Sequence, residues 1–427
     1  MLVELILGLS LGSSLVWYIM TQLPPSNSMG DTLHEYVHSL ALCATKKGCD
    51  RVVKLLLEYL EVAAVAPVLC FLCFHKASES GQTLLNHAAF TGNEQLVKLL
   101  MDREQILLNQ VDIYNQTPLI RAVSKGHASI VKLLLQKEEI DINHANVYGM
   151  TALFIASWRG HVEIVTMLLG KEGIDVNQPT KDGSTPLHQA VNEGHDLVVE
   201  MILKREDILV NTRHSNGTTP LFTAIVKGYD KMVKMLLQKK GIDINLLDNQ
   251  GSTALLNAAC NGFDKIVKIL LEKKTIDVNH VNNHGETALL CAAYYGFEGI
   301  TKMLLDTGGI LVNKSSFNET TPLCLAANFG YDKIVDYLIK RPDIHINLPN
   351  WNGDTPLLVA ARRGHCKVVK LLLKKEEIEI NQPNVAGDTP LSAAADGRNG
   401  NIVNLLLGTE EIRGIGWNGW RPIADAA

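Results

Sequence analysis

The sequence predicts an all-α fold, a solenoid of stacked helix–turn–helix repeats. One residue pattern returns every 34 residues through most of the 427-residue chain, and a fixed period of that size is the signature of a repeat array. Each copy carries threonine, leucine and alanine at fixed positions, followed by a turn residue and an apolar run. The ten copies open at Gly81, Asn115, Gly149, Gly183, Gly217, Gly251, Gly285, Glu319, Gly353 and Gly387.

The first helix of each repeat is predicted from four positions, counted from the opening residue as zero. Position 2 is threonine in all ten copies and position 3 is proline in six. Threonine caps a helix N-terminus, and proline suits the first helical residue because the N–H there has no helical partner. Leucine at position 4 and alanine at position 7 occur in all ten copies and share one helix face. The alanine predicts close approach of a neighbouring helix.

A turn and a second helix follow in each repeat. Glycine occupies position 11 in nine copies and suits a tight turn, because a positive φ costs glycine nothing. A run of Ile, Val, Leu or Met residues then supplies the apolar face of the second helix. The tenth copy has Arg398 at the turn, between Gly397 and Gly400, and we expect a distorted turn there.

The stretch from Gly353 to Leu373 reads GDTPLLVAARRGHCKVVKLLL and resembles the ankyrin repeat, whose G-x-T-P-L, A-A-x-x-G-H and I-V-x-L-L blocks it carries in order. The resemblance is strong over 81–407, weak over 37–57, and resumes at Gly419. It implies an ankyrin-repeat solenoid in which hairpin-like connectors, called fingers below, project to one side and form a concave surface. The repeats are one residue longer than the common ankyrin unit and resemble those of large fungal ankyrin arrays.

Four segments are predicted along the chain. They are an apolar N-terminal extension (1–36), a degenerate capping repeat with an apolar insert (37–80), ten ankyrin repeats (81–407) and a C-terminal partial repeat (408–427). Residues 5–23 form a candidate membrane segment, because 19 residues without a charge can just span a bilayer. Seven of those residues are Gly, Ser, Thr or Gln. An apolar extension that folds onto the first repeat and a misassigned start therefore stay open as alternatives.

Composition limits the classes of partner and chemistry. The formal net charge is −5 and no polybasic tract appears, so a nucleic-acid footprint is not supported. The eight cysteines do not recur at one repeat position, and we expect reduced thiols in a cytoplasmic protein. Cys70-x-x-Cys73 lacks a second ligand pair at usable spacing, which favours buried cysteines over a zinc site.

No catalytic motif is visible, so we expect a non-catalytic chain without cofactor or metal. Asparagine at position 28 of the repeats is expected to hold the connector by bonding its own backbone. Four histidines follow turn glycines, and equivalent positions lie about 10 Å apart, too far to share one ion. They are expected to pack and hydrogen-bond at the turn. They are His127, His161, His195 and His365.

The resemblance places partner contacts at the finger tip (positions −3 to 1) and at positions 9 and 10 of the first helix. Exposed aromatic residues and arginine are enriched at interface hot spots, and two clusters of them occur at these positions. An alternative reading is that some of these rings cover gaps between layers. The first cluster contains Tyr114, Tyr148, Trp158 and Arg159, and the second contains Tyr294, Tyr295, Phe317, Phe329, Trp351, Arg362 and Arg363.

Three functional hypotheses follow. The first is a scaffold or adaptor, a monomeric array that binds a protein partner through the concave surface. The second is a membrane-tethered ankyrin interaction protein anchored by residues 5–23. The third is a fragment of a larger ankyrin-bearing sensor or regulator, since the chain stops at Ala427, halfway through a repeat.

Overall fold

The computed structural model describes residues 83–103 and 106–409. The regular structure of these residues is helical, apart from one isolated antiparallel bridge between Ala145 and Thr151. The helices are short, with seven to nine residues each. The chain divides into two compact units, an N-terminal unit that ends at Ser215 and a C-terminal unit that starts at Asn216. The predicted all-helical repeat fold is confirmed.

Each repeat contributes a first and a second helix. In the N-terminal unit the first helices are Leu84–Thr91 (α1), Pro118–Lys125 (α3), Ala152–Arg159 (α5) and Pro186–Glu193 (α7). The second helices of that unit are Glu94–Met101 (α2), Ala128–Leu134 (α4), Val162–Leu169 (α6) and Asp196–Leu203 (α8).

The C-terminal unit repeats the same alternation. Its first helices are Pro220–Val226 (α9), Ala254–Cys260 (α11), Ala288–Tyr295 (α13), Pro322–Phe329 (α15), Pro356–Arg363 (α17) and Pro390–Asp396 (α19). Its second helices are Asp230–Gln238 (α10), Asp264–Leu271 (α12), Glu298–Leu305 (α14), Asp332–Ile339 (α16), Cys366–Leu372 (α18) and Gly400–Leu407 (α20).

The invariant threonine caps the first helix, as predicted. Its hydroxyl accepts a hydrogen bond from the backbone N–H three residues later in all ten repeats. In α17, for example, Thr355 Oγ1 lies 3.2 Å from the Leu358 nitrogen. A cap of this kind stabilises a helix by about 1 kcal/mol.

The invariant alanine at position 7 is fully buried in every repeat. Within each unit, first helices pack on first helices and second helices on second helices. Alanine lets neighbouring first helices approach closely, while the apolar run of the second helix fills the rest of the core. In the repeat that opens at Gly353, Leu357, Val368 and Leu372 are fully buried.

The turn at Arg398 keeps the common geometry, so the expected distortion is wrong. Arg398 itself adopts a left-handed conformation with φ 54°. The Asn399 N–H donates to the Ala394 carbonyl at 2.9 Å, which matches the bond from His365 to Ala360 at 3.0 Å. The side-chain Nδ2 of Asn399 also donates to Ala361 O in the preceding repeat, at 2.9 Å. These bonds hold the turn although a non-glycine residue at positive φ is disfavoured.

Position-28 asparagines join successive connectors, which corrects the expectation that each bonds its own backbone. Asn279 Nδ2 donates to Gly309 O at 2.8 Å, and its Oδ1 accepts from the Leu311 N–H at 2.8 Å. The two bonded groups therefore belong to the next repeat. The same pair of bonds is made by Asn109, Asn143, Asn177, Asn245, Asn313 and Asn347.

Two cysteines form a disulfide between adjacent repeats, so the expectation of reduced thiols is wrong for them. Cys260 at the end of α11 is bonded to Cys291 in α13, with their Cα atoms 5.0 Å apart. That separation lies in the usual disulfide range, because stacked first helices bring the two positions side by side. Cys324 is a buried free thiol and Cys366 is a partly exposed one.

Several predictions fall on parts of the chain outside the described residues. These are the candidate membrane segment 5–23, the degenerate repeat 37–80 with its Cys-x-x-Cys pair, and residues 410–427 of the partial repeat. Within the described residues, every helix is too short or too polar to cross a bilayer.

Candidate functional site

A row of apolar side chains lies on three successive fingers of the C-terminal unit. Phe317, Trp351 and Val385 stand two residues before their opening residues, with 72%, 64% and 83% of their surface exposed. Backbone bonds order these fingers: Trp351 N–H donates to Asn318 O at 3.3 Å, and Val385 N–H donates to Asn352 O at 3.0 Å. We call Phe317, Trp351 and Val385 the fingertip row.

Sequence reasoning identified Phe317 and Trp351 but missed Val385. Aromatic residues and arginine are the types enriched at interface hot spots, whereas valine is only apolar. The signal in the sequence is a run of three apolar residues that follows four polar ones at the same position, although Ile113 and Val147 of the N-terminal unit are apolar there too. The four polar residues are Lys181, Ser215, Asn249 and Asn283.

Exposed rings cluster at the ends of α13 and α15. The Tyr294 ring packs edge-to-face on Tyr295 and on Phe329, with centroid distances of 4.9 and 5.1 Å. The Tyr295 ring stacks on the Phe297 ring, and the Phe329 ring stacks on the Tyr331 ring. The ring centroids are 5.8 Å apart in both pairs. The five rings, which we call the ring cluster, hold one another in place. Edge-to-face pairs of this kind contribute about 0.5–1.5 kcal/mol beyond burial.

Some rings of the ring cluster cover gaps between layers, and others are exposed. Phe297 and Tyr331 do cover the preceding turns, since their rings lie against Gly262 and Gly296. Tyr294, Tyr295 and Phe329, in contrast, are exposed. The Phe317 ring lies against Gly285 while most of its surface faces solvent.

A cavity of about 340 Å³ lies between fingers and first helices of the C-terminal unit. Residues of the fingers and residues of the first helices both line this cavity. The lining is mostly polar and includes Asn328, Asn350, Asn352, Arg362 and Arg363.

Two neighbouring arginines of the second cluster have different surroundings. Arg362 donates to both carboxylate oxygens of Asp354, at 2.8 and 3.2 Å, and to Asp388 at 3.2 Å. The Asp354 hydrogen bond, with the nearby carboxylates, raises the pKa of Arg362. Arg363 is exposed, and its Nε donates to Asn328 Oδ1 at 3.2 Å. Arg362 therefore joins α17 to two fingers through ion pairs with Asp354 and Asp388. The guanidinium of Arg363 is exposed to solvent.

The first predicted cluster lies in the N-terminal unit. Tyr114 and Tyr148 stand on successive finger tips, 50% and 59% exposed, and the Val147 N–H donates to Tyr114 O at 3.1 Å between those fingers. Arg159 at the end of α5 lies over the Trp158 ring, 4.6 Å from its centroid. The structure thus places these residues on finger tips and helix ends, the positions named by the resemblance.

Position −3 belongs to the finger itself and not to its contact surface. Asn350 Oδ1 accepts hydrogen bonds from Asn352 N and Asp354 N, each at 3.0 Å. Asp112, Asn146, Asp248 and Asn282 make the same pair of bonds in their fingers. The Asn/Asp recurrence was visible in the sequence, and its turn chemistry is general.

The histidines after the turn glycine bond the preceding repeat. His127, His195 and His365 each place Nε2 2.9–3.1 Å from the carbonyl of Phe90, Trp158 or Asn328, as expected. His161 Nε2 is buried without a hydrogen-bond partner, and burial lowers its pKa, followed by the charges of Arg159 and His195. Among residues 83–103 and 106–409 no group of three metal-ligating side chains is found.

Comparison with known proteins identifies the family. A family model described as ankyrin repeats (three copies) matches residues 39–146, 104–180, 175–248, 240–316 and 309–384. A search of curated proteins finds no match. The family matches run without a gap from residue 39 to residue 384, well over half of the sequence, and so the chain belongs to the ankyrin repeat family.

Proposed function

We propose that this chain is a non-catalytic scaffold or adaptor that binds a protein partner through the C-terminal unit. The observation that carries the proposal is the fingertip row, with Phe317, Trp351 and Val385 exposed on three successive fingers. Ankyrin repeats generally mediate protein–protein interactions. We assign partner binding to one surface of this unit, which consists of the fingertip row, the ring cluster and the cavity between fingers and helices.

The composition of this surface suits a protein partner. Large exposed apolar patches on a folded protein mark interaction sites. Aromatic residues and arginine are the types enriched at interface hot spots. The rings are those of Trp351, Tyr294, Tyr295 and Phe329. Arg363, whose Nε donates to Asn328, supplies an exposed guanidinium.

The backbone under these side chains is already ordered, which favours binding. Fingers are joined by the N–H of Trp351 and of Val385, and the rings of the ring cluster brace one another. Binding to a pre-ordered surface loses less conformational entropy than binding that must order a loop. The polar lining of the adjacent cavity, including Asn328 and Asn352, offers hydrogen bonds that select among apolar partners.

The test compares two double variants of the tagged full chain in affinity purification. Phe317→Ala/Trp351→Ala removes two members of the fingertip row. Leu209→Ala/Leu311→Ala removes two leucines of similar exposure from connectors and is the matched control. We expect the first variant to lose the co-purifying protein with an unchanged melting temperature, and the control to retain it. Equal capture by both variants, or unfolding of the first, would contradict the proposal.

A further inference from the structure

Two cations on consecutive first helices of the N-terminal unit lack an acidic partner. Lys125 ends α3 and Arg159 ends α5, and both are exposed. In the part of the chain that the structure describes, no carboxylate lies within ion-pair distance of either. Arg121, one turn before Lys125, is different because it pairs with buried Asp112 at 2.6 Å. Lys125 and Arg159 therefore form no ion pair among the described residues.

Aromatic rings hold both cations over apolar surface. Lys125 Nζ lies 4.6 Å from the Phe90 centroid, and Arg159 Cζ lies 4.6 Å from the Trp158 centroid. The two aromatic residues are fixed in turn, because their carbonyls bond His127 and His195 of the next repeats. A cation over a ring keeps its outer N–H groups available while one side loses water. The arrangement orders the charges without neutralising them.

Finger tips of the same repeats carry exposed tyrosines. Tyr114 and Tyr148 precede the opening residues of the repeats that contain Lys125 and Arg159. In the C-terminal unit, equivalent fingers and helices border one cavity. Asn352 and Arg363, which line that cavity, occupy positions −1 and 10 of their repeat. In the N-terminal unit Tyr114 and Tyr148 occupy position −1, and Lys125 and Arg159 occupy position 10.

We propose that this surface binds an acidic peptide segment, with one carboxylate at Lys125, a second at Arg159, and apolar side chains against Tyr114 and Tyr148. Neighbouring repeats lie about 10 Å apart, which is the span of about three residues of extended chain. The inference rests on the proposed function, since it gives a protein-binding repeat array the chemistry of a bound segment. Opposite charge supplies orientation and a fast association rate.

The next repeat favours a peptide over a nucleic acid. Its finger and first helix carry the exposed carboxylates of Asp182 and Glu193. The hydrogen bond from Thr180 lowers the pKa of Asp182, so it stays ionised at neutral pH. A phosphate backbone that continued along the surface would meet these negative charges. A short acidic segment can end before them.

The experiment measures binding of a fluorescently labelled random glutamate–tyrosine copolymer to the purified full chain by fluorescence anisotropy. Lys125→Glu and Arg159→Glu are the test variants, and Lys125→Ala/Arg159→Ala removes charge without adding repulsion. Lys132→Glu is the matched control, because Lys132 is exposed on second helix α4. Circular dichroism checks that each variant is folded. A lysine–tyrosine copolymer and single-stranded DNA are the comparison probes.

We expect the acidic copolymer to bind, each test variant to weaken it roughly tenfold, and added salt to weaken it further. Lys132→Glu should leave binding unchanged. Absence of binding, equal loss with Lys132→Glu, or tighter binding of DNA would each overturn the inference. Partner capture that depends on Phe317 and Trp351 would still support the proposed function in those cases, so the two failures are distinguishable.

Discussion

The guanidinium of Arg362 binds the carboxylate of Asp354 through two hydrogen bonds of 2.8 and 3.2 Å. The Asp354 side chain is almost fully buried, and the Arg362 side chain is about one third exposed. Asn384, on the next finger, also donates to Asp354 Oδ1 at 2.8 Å. One carboxylate thus joins a first helix to two successive fingers.

Arg362→Ala should destabilise the C-terminal unit by about 1–2 kcal/mol, because Asp354 loses a charged partner while it stays buried. Arg363→Ala, one residue away and exposed, should change stability by less than about 0.5 kcal/mol. Thermal unfolding followed by circular dichroism measures both. Similar melting temperatures for the two variants would mean that the Arg362 pair contributes no stability.

Two glycine substitutions separate backbone strain from steric conflict. Gly330 and Gly387 both have positive φ, 77° and 84°, so alanine is strained at either position. A Cβ at Gly330 would lie 2.5 Å from His365 Nδ1, whereas nothing lies within 4 Å of one at Gly387. Gly387→Ala should cost about 1–2 kcal/mol, and Gly330→Ala clearly more. Chemical denaturation of the two variants gives the comparison, and equal losses would contradict it.

Asn279→Ala should open the connector between two repeats. It removes the bonds to Gly309 O and from the Leu311 N–H, a loss of about 1–2 kcal/mol in this partly exposed site. The backbone amide of Leu311 should exchange faster in hydrogen-exchange mass spectrometry. Lys314→Ala, an exposed change in the same connector, is the control and should leave that exchange rate unchanged.

The Cys260–Cys291 disulfide should be found in a peptide map of the unreduced protein. In the chain-entropy description, closing a loop with 31 residues of separation stabilises by about 3–4 kcal/mol. A reductant should therefore lower the melting temperature of the native chain but not that of Cys260→Ser. An equal effect of the reductant on both proteins would show that the bond does not form or does not stabilise.

Cys324 should resist alkylation in the folded protein. Burial, with the nearby Asp354 carboxylate as a second cause, raises the pKa of its thiol to about 12. A raised thiol pKa leaves less thiolate at every pH below that value, and the thiolate is the reactive form. Iodoacetamide at pH 8 should label partly exposed Cys366 before Cys324, as read by mass spectrometry. Labelling of Cys324 at the same rate would contradict the prediction.

The second cluster was predicted from the sequence in part. Phe317 and Trp351 are predictable because they are aromatic residues at variable finger-tip positions, and variable positions can be recognised in one chain against its near-constant framework. Sequence reasoning treated Arg362 and Arg363 alike, because both are arginines at positions 9 and 10 of one helix. Asp354 and Asp388 distinguish them, and these carboxylates reach α17 only once the fingers are folded.

The sequence by itself determined the repeat length, the two helices of each repeat, their threonine caps and their buried alanines. These features follow from local propensity and from periodicity, which a single repeat already contains. Tertiary structure alone decided that Cys260 bonds Cys291, that Asn279 bonds the next connector, and which arginine carries a free charge. Each of these depends on residues brought together from different repeats or from different elements of one repeat. Stacking sets their distances, and no pattern within one copy encodes them.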